Sequence, residues 1–390
     1  MTLDYKPSAL VLATGPNGLG AIRSLALEGV VVDVIANRQH DPVLASRLIR
    51  RSTCLSSSDH EQELIHLIAQ WQMEDFVIIP CSDWYVDVLV RHQHMLPNHA
   101  KVVLPADDLS SKLIDKREEV NLIANYANLP KSVTQLPTHA NELLTQLTLP
   151  IIIKPRSNEL NKLGRKNLQL YTQEQVIVFY QQFSDVLDYC IAQEIIEGED
   201  SNLWVCNCTF DMEGNLINRF TFQRLQLAPP HFGVTSYAVS QENTDIIAQV
   251  KKVGKALNYR GPAMFEFKYC NARKRYFYIE VNPRLGLCNY FDTRCGKNNV
   301  YATYCVATGL PFEEQPQRNN IMFVSLFEDI YSRRKDGQSI VQILTTYIKN
   351  MLKPHYFIYF AFRDPAPWWH MTSAQSKAIL SNLFKKLRVR

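Results

Sequence analysis

Two carboxylates and an amide lie on the arms of what reads as a β-hairpin: Gly261-Pro262-Ala263-Met264-Phe265-Glu266-Phe267-Lys268, a turn over 271–274, then Tyr276-Phe277-Tyr278-Ile279-Glu280-Val281-Asn282-Pro283-Arg284. Both arms alternate apolar and polar residues with period two, the pattern of strands with one face buried. Glu266 and Lys268 then share a face of the first arm, and Glu280 and Asn282 share one of the second. If the two faces coincide, hard oxygen ligands converge in a number that suits magnesium, with manganese as the alternative. Such a metal keeps its waters and takes its remaining ligands from nucleotide phosphates. An edge hairpin with a solvated charged face would carry the same residues.

A site of that kind also needs cations for phosphate and a clamp for the base. Lys154 ends the apolar run Pro150 to Ile153 and precedes Pro155 and Arg156, so its ammonium can meet phosphate as a point charge. Gln193-Glu194-Ile195-Ile196-Glu197-Gly198-Glu199-Asp200 ends another strand; its backbone could read an adenine edge, and an acid after the glycine could accept from ribose hydroxyls. Lys268 is expected to order Glu266 or Glu280 rather than transfer a proton, because an ammonium between carboxylates is held charged.

The elements that must position these groups read as α/β followed by α+β. Strands over 9–13, 30–36, 76–80 and 102–104 alternate with helices over 21–28 and 61–71, implying a parallel sheet covered by helices. Gly15, Gly18 and Gly20 sit between the first strand and helix. Their spacing is GxxGxG, and Asn37 stands where an acid would hold a ribose, so close helix packing is preferred over a dinucleotide site. Asp83 follows the strand at 76–80; it could hold an amine or cap a helix. A helix over 115–127 leads into a second region with strands at 151–154, 168–171, 189–195, 203–210 and 216–223. The last seventy residues read as an appendage with a helix over 340–351, an aromatic strand over 356–362, and a basic helix whose apolar stripe is Ile379, Leu380, Leu383 and Leu387.

Composition removes other classes. A chain of 390 residues is too long for one core. A net charge of +4 with nearly balanced acids and bases gives no concentrated basic face for nucleic acid. Nine scattered cysteines without a CxxC pair argue against disulfides and structural zinc; Cys206 and Cys208 read as small buried residues on one face of a strand. No run reaches membrane-spanning length, and the apolar run at 9–13 is too short for a secretory leader. The expected compartment is the cytoplasm.

Taken in order, these pieces resemble the ATP-grasp superfamily from the N-terminal alternating region to about Gly309. They are most similar to its carboxylate-amine ligase branch, which includes D-aspartate ligase-like and short carbamoyl-phosphate-synthase-like proteins. The resemblance implies a Rossmann-like pre-ATP-grasp domain over 1–110 and an ATP-grasp domain over 111–315. The latter divides into a nucleotide-clamping part (130–198) and a metal-binding part (199–315), and an appendage follows over 316–390. It implies ATP and magnesium as cofactors, with Lys116 and Lys154 on phosphates, Glu194 and the backbone of Ile196 on adenine, Asp200 on ribose, and Glu266, Glu280 and Asn282 on metal. Arg284 is then the cation for an oxyanion, and Arg224 faces the acyl donor or phosphate, with Arg294 a weaker candidate.

The implied reaction activates a carboxylate as an acyl phosphate and joins it to an amine, so the partners are small molecules. A homodimer and a weak contact between the basic C-terminal helix and an anionic membrane are further expectations. One departure stands out: the phosphate-covering loop over 157–167 has Gly164 as its only glycine and carries Lys162, Arg165 and Lys166. Fewer glycines make backbone amides less free to cradle phosphate, which opens the alternative of a weak or inactive ATP-binding regulatory protein.

Overall fold

The structure is a computed structural model and describes residues 5–13, 15–106, 108–157, 159–231 and 233–373. Its N-terminal layer is a five-stranded parallel sheet in the order Ile49–Cys54, Val32–Ala36, Ser8–Ala13, Phe76–Pro80, Ala100–Lys101. The three central strands are buried at every position, so they are mostly apolar rather than alternating, with Asp33 the buried acid among them. Ile49–Cys54 was not legible as a strand because it is an exposed, polar edge. Its Arg50 and Arg51 reach over to the buried Asp33 at 2.6 and 2.9 Å.

The first helix, Gly15–Leu27, starts six residues before the expected position and contains Gly18 and Gly20. A Cβ on Gly18 would lie 2.7 Å from the Cβ of Ala13, and one on Gly20 would lie 1.9 Å from Asn289 Oδ1. These glycines therefore let the helix approach the first strand and a later helix, Asn289–Arg294, which is the packing reading of the motif. The helix start is held by Asp41, whose Oδ2 accepts from the Gly15 amide at 2.8 Å.

A four-stranded antiparallel sheet follows, in the order Ser132–Val133, Cys190–Glu194, Ile151–Pro155, Leu168–Leu170. Helices Ala140–Gln146 and Gln173–Gln182 close its core through Leu143, Val176 and Phe179. The third sheet has seven strands in the order Arg275–Asn282, Gly261–Cys270, Leu203–Phe210, Leu216–Ala228, Val234–Ser240, Met322–Val324, His355–Phe357. Cys206 and Cys208 are both buried in its core beneath helix Thr244–Ala256, and all nine cysteines are free.

From residue 317 to 373 the chain is not a separate appendage. Met322–Val324 pairs antiparallel with Val234–Ser240, and His355–Phe357 adds in parallel beyond it. Three-residue strands offer too few positions for a period to show, and their partners lie far away in sequence. The expected aromatic strand over 356–362 is correspondingly cut to Phe357. Farther on, Asp364 is buried against the first helix, where it accepts from Arg23 Nε at 3.0 Å. The basic stripe Ile379, Leu380, Leu383 and Leu387 lies outside the described residues. Among those described, no helix is long and apolar enough to cross a membrane.

Candidate active site

The hairpin register decides the first question. Glu266 stands directly opposite Glu280, and Met264 opposite Asn282, so the two carboxylates and the amide share one face. Like charges in that position repel unless cations intervene, and here two do. Arg224, from the strand Leu216–Ala228, reaches across the intervening strand Leu203–Phe210 and forks onto Glu266 at 2.6 and 2.7 Å. Lys116 Nζ donates to Glu280 Oε2 at 2.9 Å. Lys268 was expected in this role, but it lies two residues along the strand from Glu266, and the acid whose field it feels is Asp200.

These pairings set the electrostatics. Burial opposes the charge on Arg224, yet the adjacent Glu266 and its hydrogen bonds outweigh it, raising the pKa above the ordinary arginine value. Lys116 is likewise raised: burial is offset by Glu280 and by the nearby Glu119. The Lys116 ammonium, working against burial and aided by Lys154, holds Glu280 well below the usual carboxylate range. Lys154 goes the other way, pushed down to about 8 by burial and by its neighbour Lys116.

Backbone contacts fix the two lysines relative to each other. Asp115 caps the helix Lys116–Ile123 by accepting from the Arg117 amide at 2.9 Å, and it also pairs with Arg156. The Lys116 amide in turn donates to the Arg156 carbonyl at 2.8 Å, two residues beyond Lys154. Glu119 was missed by the sequence reading. Its buried carboxylate accepts from the Tyr278 hydroxyl at 2.6 Å and the Val281 amide at 2.8 Å, tying the helix to the hairpin. Burial raises its pKa, and a Glu in the first helical turn ordinarily signals only a favourable helix start.

Two cavities meet at the carboxylates. One, of about 420 Å³, is lined by Lys154, Glu194, Ile196, Asp200 and Lys268. The other, of about 840 Å³, is lined by Gly15, Asp83, Asn282 and Arg284. Lys166, Arg224, Glu266 and Glu280 border both. In the first cavity Glu194 is already engaged, accepting from the Lys131 amide at 2.8 Å and from Arg273 at 3.0 Å. Asp200 accepts from the His231 amide at 3.0 Å. In the second, Arg284 pairs with Asp83 at 2.7 Å and donates to Asn282 Oδ1 at 3.2 Å. The helix cap at this edge is Ser82, which accepts from the Tyr85 amide, and Asp83 is the first helical residue. Arg294 borders neither cavity; its guanidinium sits over the Tyr356 ring at 5.0 Å.

No known family model matches the chain. The D-aspartate ligase of Enterococcus faecium (strain Aus0004) is 25% identical over 287 residues, which cover 69% of this chain and 64% of that protein. The match thus spans less than two thirds of the relative. Among solved structures, the ADP complex of purK, an N5-carboxyaminoimidazole ribonucleotide synthetase, superposes with a TM-score of 0.65 at 16% identity, covering 88% of each chain. A Campylobacter jejuni biotin carboxylase in complex with β-γ-ATP gives a TM-score of 0.65 at 15% identity, over 82% of this chain and 74% of that one. The biotin carboxylase domain of a Hydrogenobacter thermophilus 2-oxoglutarate carboxylase, bound to MgADP and bicarbonate, gives 0.64 at 13% identity, over 81% and 73%. At these identities the solved structures establish a shared fold.

A metal at a nucleotide site shares its coordination sphere with phosphates and water, and the donor set here fits that demand. Among the described residues no group of three or more His, Cys, Asp or Glu could form a closed protein cage. Two carboxylates plus an amide oxygen leave positions for water and phosphate, which is how magnesium is held at nucleotide sites. Glu266 and Glu280 each retain lone pairs beyond those given to Arg224 and Lys116.

The depressed Lys154 gives this site a pH signature. With its folded pKa near 8 against an ordinary 10.5, the nucleotide-free chain binds fewer protons than the unfolded chain between those values, so its stability should rise with pH across that window. Bound phosphates favour the ammonium and reverse the shift. Nucleotide binding at pH 9 is therefore expected to take up close to about one proton per site. Titration calorimetry in buffers of different ionisation enthalpy measures this, and an enthalpy independent of buffer would exclude it.

Proposed function

We propose that this chain is an ATP-dependent carboxylate-amine ligase, which forms an acyl phosphate from a carboxylate, joins it to an amine as an amide, and releases ADP and phosphate. The observation that carries this reading is the placement of Glu266 and Glu280 where a nucleotide-sized cavity and a second, polar cavity meet. A phosphoryl group leaving ATP in the first cavity would there face an acceptor in the second. The match to a D-aspartate ligase supports it, within the 64% of that protein that is spanned.

Each residue then has a physical task. Glu194 and the backbone of Ile196 would meet adenine and Asp200 the ribose, all three lining the first cavity. Lys154 and Lys116 offset phosphate charge, and Lys166, bordering both cavities, can follow the group in transfer. Glu266, Glu280 and Asn282 would hold magnesium. That ion, when bound, offsets negative charge on the phosphate oxygens. Arg224 keeps Glu266 aimed at the junction. On the far side Arg284, freed from Asp83 or shared with it, is the cation for the oxyanion formed when an amine attacks the acyl phosphate.

The glycine-poor loop favours a second reading, an ATP-binding regulatory protein without turnover. Gly164 adopts a left-handed backbone (φ +70°), the one such position among the described residues of that loop. A coupled ADP-release screen across amino acids and small dicarboxylates, with mass spectrometry of products, separates the two. The expected result is ADP release that depends on one carboxylate and one amine and yields a condensed product. Tight ATP-magnesium binding with no release across the panel would favour the regulatory reading instead.

A further inference from the structure

A third cavity, of about 580 Å³, opens away from the carboxylate junction, between the helix Gly15–Leu27 and the segment 355–364. Its lining combines three guanidinium groups, Arg23, Arg294 and Arg363, with the rings of Tyr290, Tyr356 and Phe360. The acid in the lining, Asp364, is fully committed: Oδ2 accepts from Arg23 Nε at 3.0 Å and from Ser46 Oγ at 2.9 Å, and Oδ1 from the Arg47 amide at 3.1 Å. One carboxylate against three guanidinium groups leaves the cavity with positive charge uncompensated.

Two of those cations also keep unused donors. Arg23 is 2% exposed, and its Nη1 has no hydrogen-bond partner among the described residues, although Nε and Nη2 are tied to Asp364 and to the Tyr359 carbonyl. Arg294 Nε is likewise buried without a partner. Buried donors left unpaired are costly and mark places where a ligand is expected. Both guanidinium planes lie against rings, Arg23 over Tyr290 at 5.6 Å and Arg294 over Tyr356 at 5.0 Å. The cavity thus has slots for a flat apolar body and donors for an anion.

We propose that this cavity is a second ligand site, selective for a small planar carboxylate, and that it regulates the carboxylate junction. The segment 359–364 couples the two. The Tyr359 carbonyl accepts from Arg23 Nη2 at 2.7 Å at the cavity wall, while Tyr359 also lines the 840 Å³ cavity. The helix that carries Arg23 presents Gly15, Pro16 and Asn17 to that same 840 Å³ cavity. A ligand that draws on Arg23 therefore pulls on two walls of the catalytic space. The volume falls within the range of small-molecule sites.

Calorimetric titration of the full chain, saturated with ATP-magnesium, tests the proposal with naphthalene-2-carboxylate as probe and 2-naphthamide as its neutral control. The expected result is one saturable site for the carboxylate, about tenfold weaker for the amide, and about tenfold weaker again in Arg294→Met, as loss of one charge-assisted contact implies. Arg363→Gln, at an exposed position that cannot perturb folding, is expected to weaken binding less but measurably. Absence of saturable binding, equal affinity for the amide, or affinity unchanged in both variants would overturn it. So would binding lost in Arg284→Met and kept in Arg294→Met, which would locate the probe in the catalytic cavity. The readout uses no turnover, so its failure and that of the ligase reading are distinct.

Discussion

Glu280→Gln is expected to lower ADP formation by at least about 10²-fold while leaving the fold intact, a loss comparable to that of one preorganised charge-stabilising group. The substitution keeps volume and removes one negative charge from a site where Lys116 and Lys154 both feel it. Without that charge the proposed metal set keeps Glu266 as its one carboxylate, and Lys116 loses its 2.9 Å ionic partner while keeping the field of Glu119. Because Glu280 sits well below the usual carboxylate range, it stays ionised in the native chain at every pH where activity could be assayed, so no pH should mask the effect. Steady-state ADP release measures turnover, and far-ultraviolet circular dichroism checks the fold. Turnover equal to the parent's in a folded variant would remove Glu280 from the mechanism.

The second large effect is on stability. Arg224→Met should destabilise the chain by about 3–5 kcal/mol, the usual consequence of leaving one member of a buried ion pair alone. The side chains of Arg224 and Glu266 are 7% and 14% exposed, and both oxygens of Glu266 are taken by the fork. The double variant Arg224→Met, Glu266→Gln should recover most of the loss, because the orphaned charge is gone. Denaturant midpoints of the parent, both single variants and the double variant close the cycle. Arg224→Met with a parental midpoint would show that solvent, not Arg224, compensates Glu266.

The hairpin was readable because two period-two strands joined by a short turn constrain their own register. Glu266 with Lys268, and Glu280 with Asn282, could each be put on one face of its arm; that the two faces coincide is shown by the register. Lys154 and the 193–200 stretch were readable for a related reason, since each lies at the C-terminal end of an apolar strand. What the residues could not announce is which cation meets which acid. Arg224 reaches Glu266 only because Leu203–Phe210 inserts between their strands, a matter of strand order rather than of local pattern. Lys268, two residues from Glu266, looked the better partner for want of that order.

Glu119 was hidden for another reason. In the first turn of a capped helix a glutamate is favourable on dipole grounds alone, and nothing nearby in sequence reveals that Tyr278 and Val281 come to meet it. The polar strand Ile49–Cys54 and the short strands Met322–Val324 and His355–Phe357 failed to register because strand patterning reports burial on one face over several residues, and these offer either exposure or too little length.

The union of Arg23 with Asp364 bridges 341 positions of chain. At a synthesis speed of 5–20 residues per second, the guanidinium emerges roughly 15–70 s before its counter-ion exists. During that wait the first helix carries a charge with no anion to accompany it into the interior, so the nascent N-terminal layer can gather but not dry out. The later-translated segment around Asp364 acts as a keystone for a layer whose strands and first helix are made long before it.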